Sequence, residues 1–118
     1  MLLLFCDGAW ALAKRPETGL LAGLWEFPNL PGELSVQEAM DAAAAWGCRP
    51  AQILRRAERK HVFTHLDWHL PACVIECGVQ ADGFIWSSLD EIRARYSLPT
   101  AFRQFLSILE EETKGDQV

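Results

Sequence analysis

The sequence has no long hydrophobic run. Its opening apolar stretch, Met1 to Cys6, is far shorter than the roughly 20 residues that a membrane-spanning helix needs. No basic region precedes that stretch, as a signal peptide would require. Internal repeats, linkers and low-complexity segments are also missing. These absences exclude a membrane or repeat protein. They predict a single domain over residues 1–118 in a cytoplasmic protein, which we expect to be a monomer.

Positive charge is not in excess either. Lys and Arg number 11 against 16 Asp and Glu, for a net charge of −5 at pH 7, and this total argues against a nucleic-acid partner. The distribution is uneven, however, because a basic cluster between residues 49 and 60 is offset only by Glu58. Its members are Arg49, Arg55, Arg56, Arg59 and Lys60. Such a cluster usually forms a solvated strand face.

The four cysteines lack the spacing of a metal site. No pair has the two-residue separation of a zinc ribbon. Cys73 and Cys77 fall in a predicted strand, which would hold them on one face but roughly 13 Å apart, too far to share a zinc ion. We therefore predict no metal site and no disulfide. Buried free thiols in a reducing compartment are the expected state.

Turn and capping residues divide the chain into strand pairs with helices between them. Asp7 and Gly8 predict a tight turn joining strands 2–6 and 9–14. Ser35 and Glu38 predict a capping box at the start of a helix that Gly47 ends. The other predicted elements are a short strand within 20–27, long strands over 52–63 and 66–77, a strand at 84–86, a helix from Ser88 to Arg95 and a helix from Thr100 with an apolar stripe of Phe102, Phe105, Leu106 and Leu109. The order predicts an α+β protein, an α/β/α sandwich.

Two finer expectations concern the strands. Pro71 predicts that the strand over 66–77 is an edge strand or carries a bulge, because proline cannot donate to a ladder. Trp10 is expected to be half exposed in its hairpin strand. The other four tryptophans are expected in the core.

Two sequence strings point to a known family. Residues 15–28 read RPETGLLAGLWEFP and resemble the entry to a Nudix fold, more closely the C-terminal domain of MutY-type adenine DNA glycosylases. Residues 60–66 read KHVFTHL and resemble the loop that this domain uses against 8-oxoguanine, with Thr64 where Ser is usual. Residues 97–102 are similar to the entry to the family's last helix. The resemblance runs from about residue 2 to 109 and implies a Nudix-like sandwich with a mixed sheet.

The predicted helix after Ser35 departs from the pattern of a Nudix hydrolase. Such an enzyme carries an Arg-Glu pair and then two adjacent glutamates before a glycine, because Mg²⁺ needs several carboxylate oxygens close together. Counting back from Gly47, the adjacent pair falls on Ala44 and Ala45, and the Arg-Glu pair on Met40 and Asp41. Asp41 alone cannot form that site. We therefore predict no metal ligands and no catalytic residue in this chain.

The resemblance implies a division of labour within a base-excision-repair enzyme. A separate N-terminal domain with an iron–sulfur cluster would excise adenine, and the present domain would recognise the opposite 8-oxoguanine without catalysing anything itself. The implied partners are double-stranded DNA with 8-oxoguanine opposite adenine and that catalytic domain. No cofactor is expected in this chain. This chain lacks the motifs of the catalytic domain. Whether it is part of an enzyme therefore depends on whether such a domain belongs to the same protein.

The resemblance implies lesion recognition by Phe63, Thr64 and His65. Oxidised guanine gains a donor at N7 and a carbonyl oxygen at C8. Since the Thr64 hydroxyl can both donate and accept, it suits guanine and its oxidised form alike, and fixed backbone groups are the better source of selectivity. His65 could contact phosphate, and Phe63 could lie near the bases or in the core. The candidates for phosphate contact are Lys14, Arg15 and Lys60.

Two other functions remain open from the sequence. One is a free-standing Nudix pyrophosphohydrolase acting on free or oxidised nucleotides, which the carboxylate count of the helix disfavours. The other is a Nudix-derived binding module without lesion specificity, which the Phe63–Thr64–His65 string disfavours.

Overall fold

The chain forms a mixed β-sheet with helices on both faces. The computed structural model describes residues 1–15, 23–63 and 66–116. The elements are β1 (Leu2–Cys6), β2 (Ala9–Lys14), β3 (Trp25–Glu26), α1 (Val36–Ala45), β4 (Pro50–Phe63), β5 (Leu66–Cys77), β6 (Ile85–Ser87), α2 (Leu89–Arg95), α3 (Thr100–Arg103) and α4 (Leu106–Asp116). The sheet order is β3-β2-β1-β5-β4, with β6 also paired to β2. Only β1 and β5 run parallel among the described strands. The predicted α/β/α sandwich is confirmed.

Local sequence signals account for the first hairpin and for α1. Asp7 and Gly8 both have positive φ angles, 52° and 77°, as a tight hairpin turn requires. The capping box is present, because the Ser35 hydroxyl accepts from the Glu38 amide and Glu38 accepts from the Ser35 amide. Gly47 follows the helix at φ 87°, a conformation that side chains disfavour. These predictions are confirmed.

The two faces of the sheet are packed with side chains of different size. The buried layer between the sheet and α1 holds eight Ala and Cys residues and three larger ones, namely Leu2, Leu4, Cys6, Ala11, Ala39, Ala43, Cys48, Cys73, Ile75, Cys77 and Ala81. The face toward α2, α3 and α4 holds larger ones, among them Leu3, Phe5, Trp10, Leu12, Phe27, Phe102 and Phe105. Small side chains let α1 lie close to the strands, while the other layer is filled by aromatic rings.

Pro71 lies in the part of β5 that pairs with β4 alone, so the expected edge position is met there, although β5 as a whole is an interior strand. β5 lies between β1 and β4, and the two bulges of the β4–β5 ladder are at Pro50/Gln52 and Ile53/Arg55. The proline is tolerated because the β1–β5 ladder begins only at Leu2 opposite Cys73. At Pro71 the strand therefore needs no donor toward β1, and its carbonyl accepts from the Met1 amino group at 2.9 Å.

The packing of the C-terminal helices corrects two expectations. The predicted last helix is divided at Gln104 and Phe105, where Phe105 donates to the carbonyl of Phe102 in a tight turn. Trp10 is fully buried rather than half exposed, because its indole N–H donates to Thr113 of α4 at 3.2 Å. None of the helices in the described ranges combines the length and the apolar character that crossing a membrane requires.

The four cysteines are buried free thiols, as predicted. Burial raises the pKa of Cys77 to about 12, and the neighbouring thiols of Cys48 and Cys6 add to the shift. Burial also raises the pKa of Cys48 and of Cys6. The thiols of Cys6, Cys48 and Cys77 are therefore protonated in the folded protein at neutral pH.

Alkaline pH should weaken the fold through Cys77. The thiol ionises near its ordinary value of 9.0 in the unfolded chain but only at about 12 in the folded one. The resulting stability is therefore complete below pH 9 and is lost as the pH rises toward 12. Urea titrations below and above pH 9 measure this loss, which should be smaller in Cys77→Ala. Equal pH dependence in the two proteins would show that Cys77 has no part in it.

Candidate nucleic-acid interface

The predicted recognition residues belong to the closed end of the β4–β5 hairpin. β4 ends at Phe63, which lies opposite Leu66, the first residue of β5. Thr64 and His65 link the two strands in the sequence and lie outside the described residues, as does the side chain of Phe63. Their part in lesion recognition stays a prediction.

The half of the hairpin nearest that end has no third strand in the described part of the sheet. β1 pairs with β5 only from Cys73 to Glu76, so residues 66–72 of β5 pair with β4 alone. Side chains alternate between the faces of a strand. Lys60 and His69 are therefore on one face, and the adjacent pair His61 and Trp68 is on the other.

The Lys60 face carries charges of both signs. Lys60 Nζ is 3.4 Å from Asp67 Oδ2, and His69 Nε2 is 3.5 Å from Glu58 Oε1. All four side chains are well exposed, so these ion pairs add little stability. Together with Arg59 they line a shallow groove of about 560 Å³. Lys60 is thus accessible to a phosphate, but Asp67 offsets part of its charge.

The opposite face of the hairpin lies against the segment of α3 and α4. Trp68 contacts Phe102 with ring centroids 5.4 Å apart. From the neighbouring strand, Arg59 donates to the carbonyl of Gln104 at 3.3 Å, and its guanidinium is 5.9 Å from the centroid of the Phe105 ring. Aromatic contacts and one arginine therefore join the hairpin to the helices.

Arg15 reaches the same face of the hairpin from the end of β2. Its Nη1 is 2.5 Å from Glu26 Oε2, which also accepts from the Asn29 side-chain amide at 3.0 Å. Its guanidinium is 5.9 Å from the ring centroids of both Trp68 and Phe102. Arg15 and Lys60 therefore approach opposite faces of the hairpin. Lys14, the last residue of β2, is exposed.

The basic cluster predicted between residues 49 and 60 is divided by the strand. Arg55 Nη1 is 2.5 Å from Glu111 and 3.8 Å from Glu112, both on α4. Arg56 donates instead to the carbonyl of Leu34 at 3.3 Å. The cluster is thus not one positive surface, because its members bind groups on several elements. The pairing of Arg55 with α4 could not be predicted from the sequence, because the two partners are far apart along the chain.

The acidic end of α4 also has partners. Lys114 and Arg93 lie 3.1 and 3.3 Å from the carboxylate of Glu110. Their hydrogen bonds and charges lower the pKa of Glu110. Part of the negative charge at this end of α4 is therefore neutralised within the molecule.

Helix α1 presents few carboxylates. Glu38 is used in the capping box, where the Ser35 amide lowers its pKa, and Asp41 accepts from Gln37 at 2.8 Å. Ala44 and Ala45 are exposed, as the corresponding metal ligands would be. Within residues 1–15, 23–63 and 66–116 no three His, Cys, Asp or Glu side chains are grouped closely enough to hold a metal ion. A magnesium site does not fit α1.

A cavity of about 520 Å³ lies between the start of α1 and the hairpin. Its charged side chains are Arg56, Glu33 and Glu58, and the rest of its lining is largely apolar, including Leu34, Ala39, Ala57, Pro71 and Ala72. Two carboxylates are set against one guanidinium and the Met1 amino group, so the cavity has no surplus of positive charge for a pyrophosphate group.

A mixed sheet between one capped helix and a layer of C-terminal helices defines a Nudix-class sandwich. A family model described as NUDIX domain matches residues 1–107, and the chain belongs to this family. The chain is also 32% identical over 118 residues to the adenine DNA glycosylase of Rattus norvegicus; the match covers 88% of the chain and 22% of that protein. The chain thus spans about a fifth of the length of this relative.

Solved structures share the fold. A Nudix hydrolase from M. smegmatis, RenU, superposes with a TM-score of 0.65 at 21% identity, over 97% of this chain and 84% of that one. The C-terminal domain of mouse MUTYH, solved in complex with human PCNA, superposes with a TM-score of 0.60 at 24% identity, over 97% and 86%. The fold is common to a hydrolase and to the MUTYH domain, so function must be argued from the residues.

Proposed function

We propose that this chain recognises 8-oxoguanine opposite adenine in double-stranded DNA and serves as the recognition domain of an adenine DNA glycosylase. It is not catalytic by itself in this proposal. The observation that carries the proposal is the 32% identity to an adenine DNA glycosylase over 88% of the chain. The absence of paired carboxylates on α1, where Ala44 and Ala45 stand, supports a binding role over hydrolysis.

The loop that follows Phe63 supplies the recognition in this proposal. The N7 hydrogen of 8-oxoguanine needs an acceptor, and its C8 oxygen needs a donor. Backbone groups of residues 63–65 can offer either in a fixed direction, whereas the Thr64 hydroxyl rotates to suit both bases. Leaving one of these polar groups unpaired costs roughly 1–3 kcal/mol, which is enough for discrimination. Lys14 and Lys60 are the proposed phosphate contacts.

The proposed partners are the duplex and a catalytic domain of the same protein. The resemblance places an iron–sulfur cluster in that other domain. The cysteines here lack the four-cysteine spacing that such a cluster requires. We further propose that the chain is a monomer.

A pyrophosphohydrolase acting on free nucleotides is the main alternative. It would need several carboxylates around Mg²⁺. The described part of α1 offers only Glu38 and Asp41, and both are engaged in local hydrogen bonds. In the adjoining cavity Glu33 and Glu58 offset Arg56 and the Met1 amino group, so no surplus of positive charge is left to hold a pyrophosphate. These features disfavour the alternative.

Binding of the chain to two matched duplexes tests the proposal. One duplex carries 8-oxoguanine opposite adenine, and the other carries guanine. We expect the undamaged duplex to bind no tighter than the ~10⁻⁴–10⁻⁶ M of non-specific contacts, because few cations are available, with a small salt dependence. The lesion duplex should bind several-fold tighter, as one added hydrogen bond of about 1 kcal/mol implies.

Equal affinity for the two duplexes would overturn lesion recognition and leave a module without lesion specificity. Cleavage of 8-oxo-dGTP or ADP-ribose that depends on Mg²⁺ or Mn²⁺, and that Asp41→Asn abolishes, would establish the hydrolase alternative instead. Nanomolar binding of undamaged DNA at physiological salt would contradict the charge argument.

A further inference from the structure

The distal half of the β4–β5 hairpin needs support that the sheet does not give. Residues 66–72 of β5, which precede Cys73, pair with β4 alone in the described part of the sheet, and a two-stranded ribbon is only marginally stable in water. Its orientation therefore depends on side-chain contacts with the rest of the molecule. Those contacts are concentrated on the face that carries Trp68.

Four residues form such a support, which we call the Arg15 cluster. Its members are Arg15, Glu26, Trp68 and Phe102. Phe102 is fully buried in α3, and Trp68 packs on it. The guanidinium of Arg15 lies 5.9 Å from both rings, in the range of cation–π attraction. The cluster thus joins β2, β3, β5 and α3 at one point.

The ion pair within this cluster is largely shielded from water. The side chains of Arg15 and Glu26 are only 18% and 14% exposed, and Asn29 donates a second hydrogen bond to Glu26. To bind a phosphate, Arg15 would have to leave Glu26 without its counter-charge in a shielded position, which is unfavourable. A planar guanidinium held between a carboxylate and two rings is suited to fixing geometry.

We infer that Arg15 is a positioning residue, which holds the distal hairpin against α3 and thereby orients the loop after Phe63, instead of binding a DNA phosphate itself. Trp68 is two residues from Leu66, where β5 begins, so a shift of Trp68 changes the direction of the strand end. The role of Arg15 in fixing the hairpin is inferred from these contacts alone. Its consequence for lesion recognition rests on the proposed function.

Hydrogen exchange and DNA binding of Arg15→Met test the two parts separately. Amides of residues 66–70 should exchange roughly tenfold faster, as expected when a shielded cation–π contact and its ion pair are lost from a local opening equilibrium. Amides of β1 should be unchanged. The preference for the 8-oxoguanine duplex over the guanine duplex should fall several-fold. Affinity for the guanine duplex should change no more than in Arg103→Met, which removes the same charge from an exposed site on α3.

Two further variants keep the outcome decisive. Arg15→Lys retains the charge beside Glu26 and should recover part of the exchange protection and of the preference. Glu26→Gln disturbs the cluster without removing Arg15, and it should accelerate exchange in the same residues. If Arg15 binds phosphate, Glu26→Gln should strengthen binding of both duplexes, and Arg15→Met should weaken both equally with unchanged exchange.

The results expected for phosphate binding by Arg15, namely equal weakening of both duplexes in Arg15→Met with unchanged exchange, would overturn the inference. Unchanged exchange in both Arg15→Met and Glu26→Gln would also overturn it, whatever the binding results. A wild-type chain that does not distinguish the duplexes contradicts the proposed function instead, and exchange then decides the role of Arg15 by itself.

Discussion

Phe102→Ala should lower the free energy of unfolding by about 3–5 kcal/mol, the usual cost of removing a buried aromatic ring. The ring is fully buried and contacts Trp68 at 5.4 Å between centroids. Its loss leaves a cavity between the hairpin and α3 and removes one of the two rings beneath Arg15. Since a domain of this kind has only about 5–15 kcal/mol of stability, the variant should be close to unfolding at physiological temperature.

Urea titration followed by far-UV circular dichroism measures this effect. Arg103→Ala is the matched control, because it truncates the next residue of the same helix at an exposed site and should change stability by no more than about 0.5 kcal/mol. A loss below about 1 kcal/mol in Phe102→Ala would mean that the hairpin does not depend on this contact, since core truncations rarely cost so little.

Changing Thr64 and His65 together to Ala should remove most of the preference for adenine opposite 8-oxoguanine over adenine opposite guanine. Thr64→Ala alone should reduce it by only about 1 kcal/mol, the net contribution of one hydrogen bond. The double change should cost more than Thr64→Ala alone, because the shape of the loop as well as a contact is altered.

The measurement is single-turnover adenine excision by a chimera in which this chain replaces the corresponding segment of the rat adenine DNA glycosylase. The double variant Gln37→Ala/Asp41→Ala is the control, since it removes an exposed hydrogen-bonded pair from α1. It should retain the preference. Full preference in the Thr64/His65 variant would make this segment an ordinary strand connection, and recognition would have to lie elsewhere.

Signals confined to neighbouring residues predicted the fold well. The positive φ angles at Asp7 and Gly8 and the capping box at Ser35 and Glu38 depend on chemistry within a few residues, and the structure has each of them. The parallel pairing of β1 with β5 depends on residues about seventy positions apart. Only the family resemblance pointed to that mixed sheet.

The parts of the site that could not be predicted depend on such distant contacts. From the sequence, Arg15 is predicted to be a cation beside a loop and available to phosphate. The pairing of β2 with β3 instead places it next to Glu26, with which it forms an ion pair. Likewise, the sequence groups Arg55 with other basic residues, whereas in the structure it forms an ion pair with Glu111 of α4. Trp10 is buried because the same helix covers it. The loop residues Thr64 and His65 were identified from the resemblance alone.

Because the two faces of the sheet are packed differently, opposite kinds of substitution destabilise them. On the α1 face, Ala39 and Ala43 lie against the strands, so enlarging a side chain there forces the helix outward. On the opposite face, trimming Phe102 or Phe105 leaves an unfilled hole. Over evolutionary time the positions of Ala39 and Ala43 would accept only exchanges among small residues, whereas the opposite layer would accept exchanges among large ones that conserve total volume.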